Sequence, residues 1–118
     1  MTERKTPAGL SKAGRKLWHS IADEYEIEEH EALLLVEACR TADRLDALAE
    51  AQKDAPLTVV NFKGDPVASP YLVESRLQSQ VLAKLIASLR LPTGDEGEEK
   101  RPQRRGGARG AYGIRGAV

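Results

Sequence analysis

Residues 69–92 read SPYLVESRLQSQVLAKLIASLRLP, and this stretch decides the fold. Ser69 followed by Pro70 is a helix start, because proline at the first helical position lacks only an amide that would have no partner there. Leu77, Val81, Leu85 and Leu89 then recur every four residues close to one line, with Val73, Leu82 and Ile86 widening the apolar face. The run ends at Leu91-Pro92-Thr93-Gly94. This spacing predicts a helix over residues 70–91. A single neighbouring helix need not cover all of its apolar face. Two readings stay open: burial under other parts of the same chain, or burial against other copies of it.

Upstream, Leu34, Leu35, Ala38, Ala42, Leu45 and Leu48 or Ala49 form a second stripe, with Glu37, Asp43, Asp46 and Glu50 largely outside it. A long helix over 28–53 is expected. Glu28, Glu29 and Glu31 in its first turn suit the positive end of the helix dipole, although Glu28 is a weaker cap than Ser or Asp. Pro56 stops that helix. Leu57-Thr58-Val59-Val60 is β-prone, Asn61 to Pro66 carries turn chemistry, and Val67-Ala68 returns, so a β-hairpin over 57–68 is expected. Two-stranded hairpins are marginal in water, so this one has to rest on the helices or pair with a neighbouring subunit. Phe62 is its expected contact residue, packing on the hairpin itself. Ser11 is placed to cap a short first helix over 11–24, where Leu17, Trp18 and Ile21 share a face that Tyr25 extends, and Trp18 is the expected anchor.

The fold class is therefore mainly α: a long antiparallel helical hairpin preceded by a short helix, with a small β-hairpin between the long helices. Three regions follow. Residues 1–27 form a basic arm and short helix, 28–91 a helical oligomerisation core, and 92–118 a flexible Gly/Arg-rich tail holding seven of the ten glycines.

With 118 residues, 41% hydrophobic and 4% aromatic, the chain builds one small core from Leu, Val, Ile and Ala, which makes association with other subunits a sensible source of stability. The net charge of zero hides segregation. Residues 1–18 carry five basic side chains against one acidic, residues 19–51 ten acidic against two basic, and residues 92–118 six basic against four acidic. An anionic partner finds its complement at the two ends and is repelled by the middle. Arg4, Lys5, Lys12, Arg15 and Lys16 at one end, and Arg104, Arg105 and Arg109 at the other, are the DNA-binding candidates. They would act mostly through phosphates, with Tyr112 able to stack on a base or enter a protein groove. The first helix followed closely by the second weakly imitates a helix-turn-helix.

Catalytic chemistry is not legible. His19 and His30 fall on different helices without a nucleophile motif, the carboxylates sit at the spacing of a solvated helix face, and no glycine loop precedes a helix to cradle phosphate. No metal-ligand spacing and no cofactor motif occurs, and the reading is a non-enzyme with no metal and no cofactor. Cys39 reads as a small buried hydrophobe in a reducing compartment, and no run approaches the length of a membrane span.

Three stretches carry a family likeness: Ala38-Cys39-Arg40-Thr41-Ala42-Asp43-Arg44-Leu45-Asp46, then Glu74-Ser75-Arg76-Leu77-Gln78 with Leu85 through Pro92, and Gly106-Gly107-Ala108-Arg109-Gly110. Together with Leu17-Trp18 and Tyr25, the chain resembles the small terminase subunits of tailed bacteriophages, in particular the compact type of actinobacterial phages and prophages. That resemblance implies a homo-oligomeric ring in the cytoplasm of the bacterial host that binds viral double-stranded DNA. It also implies recruitment or regulation of the large terminase subunit, an ATPase and nuclease, for genome packaging. By the same analogy residues 28–91 would assemble the ring, with Leu77, Val81, Leu85 and Leu89 as interface candidates. Arg109, Tyr112, Ile114 and Arg115 would be large-subunit docking candidates. A small helical DNA-binding regulator and a purely structural protein–protein adaptor are the alternatives.

Overall fold

The computed structural model describes residues 4–92 and the backbone of residues 103 and 104. In chain order the elements are α1 (Lys12–Ala22), β1 (Tyr25–Glu26), α2 (Glu29–Gln52), β2 (Thr58–Val60), β3 (Pro66–Ala68), α3 (Pro70–Leu89) and β4 (Gln103–Arg104). The expected architecture is the one adopted. At 1.5 Å per residue α2 and α3 run about 36 and 30 Å.

Contacts at both ends fix the antiparallel pairing of α2 and α3. At one end Ser69 Oγ donates to Gln52 Oε1 at 2.6 Å, while Gln52 Nε2 donates to the carbonyls of Ala55 and Pro56 at 2.9 and 3.1 Å. One amide side chain thereby ties the end of α2, the connection and the start of α3. At the other end Tyr25 Oη donates to the Pro92 carbonyl at 3.4 Å, bringing the segment after α3 back to the approach of α2.

The core lies at that second end. Leu10, Trp18, Ile21, Tyr25, Leu35, Cys39 and Leu89 bury against one another, and Ile86 and Leu34 pack on them. Trp18 is 2% exposed and is the anchor expected of it. Beyond Thr41 on α2 and before Leu82 on α3 only Ser69 is buried, so the far half is a two-helix layer carrying the hairpin.

Helix ends follow known devices with two departures from expectation. Ser69 caps α3 by accepting from the Tyr71 amide at 3.2 Å with Pro70 behind it. Glu28 is helped by Glu31, whose carboxylate accepts the Glu28 amide at 2.7 Å as in a capping box. Ser11, by contrast, occupies the N-cap of α1 but its side chain makes no capping bond. The Asp43 carboxylate of α2 does that work, accepting from Ser11 N and Gly14 N at 2.7 Å each. The second departure is at the end of α3, where Arg90 adopts the left-handed conformation at φ 54° and stops the helix two residues before Pro92.

The β-hairpin forms where expected, in the register Thr58 to Ala68, Val59 to Val67 and Val60 to Pro66. Asn61 organises its turn: its side-chain oxygen accepts from the amides of Lys63 and Asp65 at 2.9 Å each, and its carbonyl accepts from Gly64 N at 2.9 Å. Gly64 sits at φ 86°, a conformation glycine takes without a Cβ penalty. The expectation for Phe62 fails. Its ring is 95% exposed and packs on no core of the chain. The residue lies in the turn, past the last strand pair, where the hairpin register gives it no cross-strand partner.

A second antiparallel pair, Tyr25 to Arg104 and Glu26 to Gln103, joins β1 to β4. The sequence reading has a turn at Tyr25 and no element in the tail, because two-residue strands carry no periodicity.

Candidate nucleic-acid and assembly surfaces

On α1, residues 12, 15, 16 and 19 fall at the i, i+3, i+4, i+7 spacing of one helical face. Lys12, Arg15, Lys16 and His19 are all exposed there, while Trp18, Ile21 and Ala22 on the opposite face enter the core. Burial of the apolar face is what presents the basic one. His19 was not among the sequence candidates, and the same spacing would have found it. Its Nδ1 lies 3.3 Å from Asp23 Oδ2 and its Nε2 lies 3.2 Å from Thr6 Oγ1.

The basic candidates divide. Lys5, Lys12 and Lys16 are exposed and suited to phosphate. Arg15 is exposed but one of its guanidinium nitrogens donates to the Leu10 carbonyl at 2.6 Å, tying the arm to α1. Arg4 is committed further. Its Nε and one terminal nitrogen donate to the Ile27 carbonyl at 3.2 Å, and the other lies 3.3 Å from Glu29 Oε1. It clamps the arm to the start of α2. Arg104 lies on β4, opposite Tyr25. Arg105, Arg109, Tyr112, Ile114 and Arg115 lie outside the described residues. The start of α2 is lined by Glu28, Glu29 and Glu31, which opposes its use as a recognition helix against phosphates.

The interface candidates also divide, for a geometric reason. Four residues turn a helix through about 400°, so an i, i+4 line advances about 40° per step and winds around the helix. Leu77 and Val81 are 44% and 43% exposed, Leu85 is half-buried, and Leu89 is 1% exposed in the chain's own core. Leu89 is therefore not available to a partner, whereas Leu77 and Val81 are. Val73 and Leu72 extend the exposed apolar area toward the hairpin, where Leu57, Val60 and Phe62 are also bare. Sequence periodicity marks α3 as too apolar for one neighbour but does not locate the hairpin's share of that surface.

A groove of about 660 Å³ opens on the far half of α2, lined by Ser11, Asp43, Asp46, Ala47, Ala49, Glu50 and Lys53. Asp43 is already engaged with α1, leaving Asp46, Glu50 and Lys53 as its other charged lining residues.

Cys39 is fully buried. Burial, with the nearby Asp43 charge adding to it, pushes its thiol from the usual 9.0 up to about 12. The folded protein thus keeps a proton that the unfolded chain loses above pH 9, so this residue's contribution to stability is complete below that pH and declines as pH rises toward 12. At pH 8 a thiol reagent is expected to leave Cys39 unmodified until denaturant is added. Prompt stoichiometric labelling of the native protein would contradict this burial.

Among the described residues no group of three or more His, Cys, Asp and Glu side chains could hold a metal, and no helix is long and apolar enough to cross a membrane. Comparison with protein-family models, with curated proteins and with solved structures gives no match.

Proposed function

We propose that this chain is a non-catalytic small terminase subunit. In this reading it assembles into a ring, binds viral double-stranded DNA, and recruits or regulates the large terminase subunit for genome packaging in the bacterial host's cytoplasm. The observation that carries the reading is the set of exposed apolar side chains on α3 and the hairpin, among them Leu77, Val81, Val60 and Phe62, on a far half that buries little by itself. Copies of the chain would be a natural cover for these side chains. Repetition supports the second part. The exposed face of Lys12, Arg15 and Lys16 makes a few weak phosphate contacts per subunit, and a ring multiplies them into firm attachment. The tail residues Arg104, Arg105 and Arg109 would add contacts to DNA or to the large subunit.

Native mass spectrometry tests the first step. A closed oligomer is expected, and Leu77→Asp with Val81→Asp should return it to the 12.9 kDa monomer with helicity intact. For the second step, the oligomer should bind packaging-region DNA at low salt, and neutralising Lys12, Arg15 and Lys16 together should flatten the salt dependence by about three units of log–log slope per subunit engaged. An assembled protein that binds no DNA and leaves the large subunit's ATPase and nuclease unchanged would refute the packaging role.

A further inference from the structure

We infer that His19 and Thr6 together form a proton-dependent phosphate contact on the basic face of α1, where the imidazolium adds a charge and the threonine hydroxyl adds a donor. This rests on the DNA-binding reading above and specifies how that site responds to pH. Lys12, Arg15, Lys16 and His19 share one exposed helical face, so a phosphate backbone lying along the three cations also passes the imidazole. The His19 side chain is 52% exposed, within reach of a ligand, and both ring nitrogens have partners: Nδ1 lies 3.3 Å from Asp23 Oδ2 and Nε2 lies 3.2 Å from Thr6 Oγ1.

The two partners are chemically unlike, and that decides where the protons sit. An ionised carboxylate only accepts, so the neutral ring carries its single proton on Nδ1 and donates it to Asp23. Nε2 is then the acceptor, and in the bond to Thr6 the hydroxyl donates. In that state the Thr6 proton is spent inside the molecule. A proton added at Nε2 reverses the bond: Nε2–H donates to Thr6 Oγ1, and the hydroxyl is released to donate to a phosphate oxygen. One proton therefore brings both a positive charge and an outward donor. Imidazole is the side chain that ordinarily changes charge between pH 5 and 8.

The charged groups around the ring suit an anion. On α1, Arg15 and Lys16 stand one turn before His19 and Asp23 one turn after it. The arm contributes Thr6, with exposed Lys5 beside it, whereas Arg4 is held by Ile27 and Glu29. From α2, the carboxylate that reaches α1 is Asp43, and it is held by Ser11 N and Gly14 N. A phosphate on this face neutralises Arg15 and Lys16 and pairs with the imidazolium, so DNA and the proton each favour the other's binding.

The test measures binding of a short DNA duplex to the full-length chain at pH 8 and pH 6 by fluorescence anisotropy at low salt. Affinity is expected to rise at least about fivefold at pH 6, with the log–log salt slope steeper by about 0.9 per subunit engaged. His19→Gln should abolish that difference, while the same change at His30, the chain's other histidine, should keep it. Thr6→Val, which keeps the imidazole and loses the hydroxyl, should lose most of the gain. Without DNA, the imidazole nitrogen chemical shifts of His19 at pH 8 should show Nδ1 protonated and Nε2 bare. The opposite tautomer, or a gain that survives His19→Gln, would overturn the contact, and a gain unchanged in Thr6→Val would overturn the hydroxyl's part in it. Salt-dependent binding equal at both pH values would overturn this inference and leave the DNA-binding reading standing. No binding at either pH would overturn both.

Discussion

Gly14→Ala is expected to destabilise the protein by about 3 kcal/mol even though alanine is the better helix former. In an exposed helix interior the exchange would gain about 1 kcal/mol. Here an added Cβ would lie 2.6 Å from Asp43 Oδ2 and 2.8 Å from the backbone carbonyl of Cys39. The carboxylate can swing away, but only by abandoning its bonds to Ser11 N and Gly14 N, and the carbonyl cannot move without displacing α2. Overpacking and the loss of two charge-assisted bonds outweigh the propensity gain. Asp43→Ala alone should cost about 1–2 kcal/mol through the lost cap, and the double variant should be less destabilised than the sum, because the cap can be lost only once. Urea unfolding followed by Trp18 fluorescence measures all three. A Gly14→Ala midpoint at or above wild type would mean that α1 does not approach α2 this closely.

Trp18→Ala should be the most damaging single change, at about 3–5 kcal/mol out of the 5–15 typical of a whole domain. Trp18 is 2% exposed and joins α1 to Leu35, Cys39 and Leu89 of the long helices. Circular dichroism is the appropriate readout, since Trp18 is the chain's one tryptophan. Under the proposed function, loss of α1 packing should abolish salt-dependent DNA binding before it abolishes assembly, because the basic face of α1 exists as a surface only while its apolar face is buried. Loss of assembly at concentrations where DNA binding persists would separate the two surfaces in the opposite order and place the subunit contact on α1.

The long helices and the hairpin were legible because each carries a local signal: apolar period, Ser69-Pro70 at a start, Pro56 at a stop, Asn61 and Gly64 in a turn. The candidate surfaces were legible only in part. Lys12, Arg15 and Lys16 reveal a basic face through spacing alone, but nothing in the order of residues shows that Arg4 spends its charge on Ile27 and Glu29, a contact more than twenty residues away. The strand pair between residues 25–26 and 103–104 is equally silent, being non-local and too short for a pattern.

Periodicity and turn chemistry by themselves determined the three helices, the hairpin between the long ones, their order and the surplus of apolar residues on the third helix. These depend on neighbours within one or two helical turns, which the order of residues records. Only the tertiary structure decided which leucine on the winding line from Leu77 to Leu89 meets solvent, that Asp43 and not Ser11 caps α1, and that Phe62 stands bare beside Lys63. The first two depend on where a second element crosses the first, with α1 seated on α2 by close packing at Gly14 and Trp18, while Phe62 stands bare because it lies in the turn past the last strand pair.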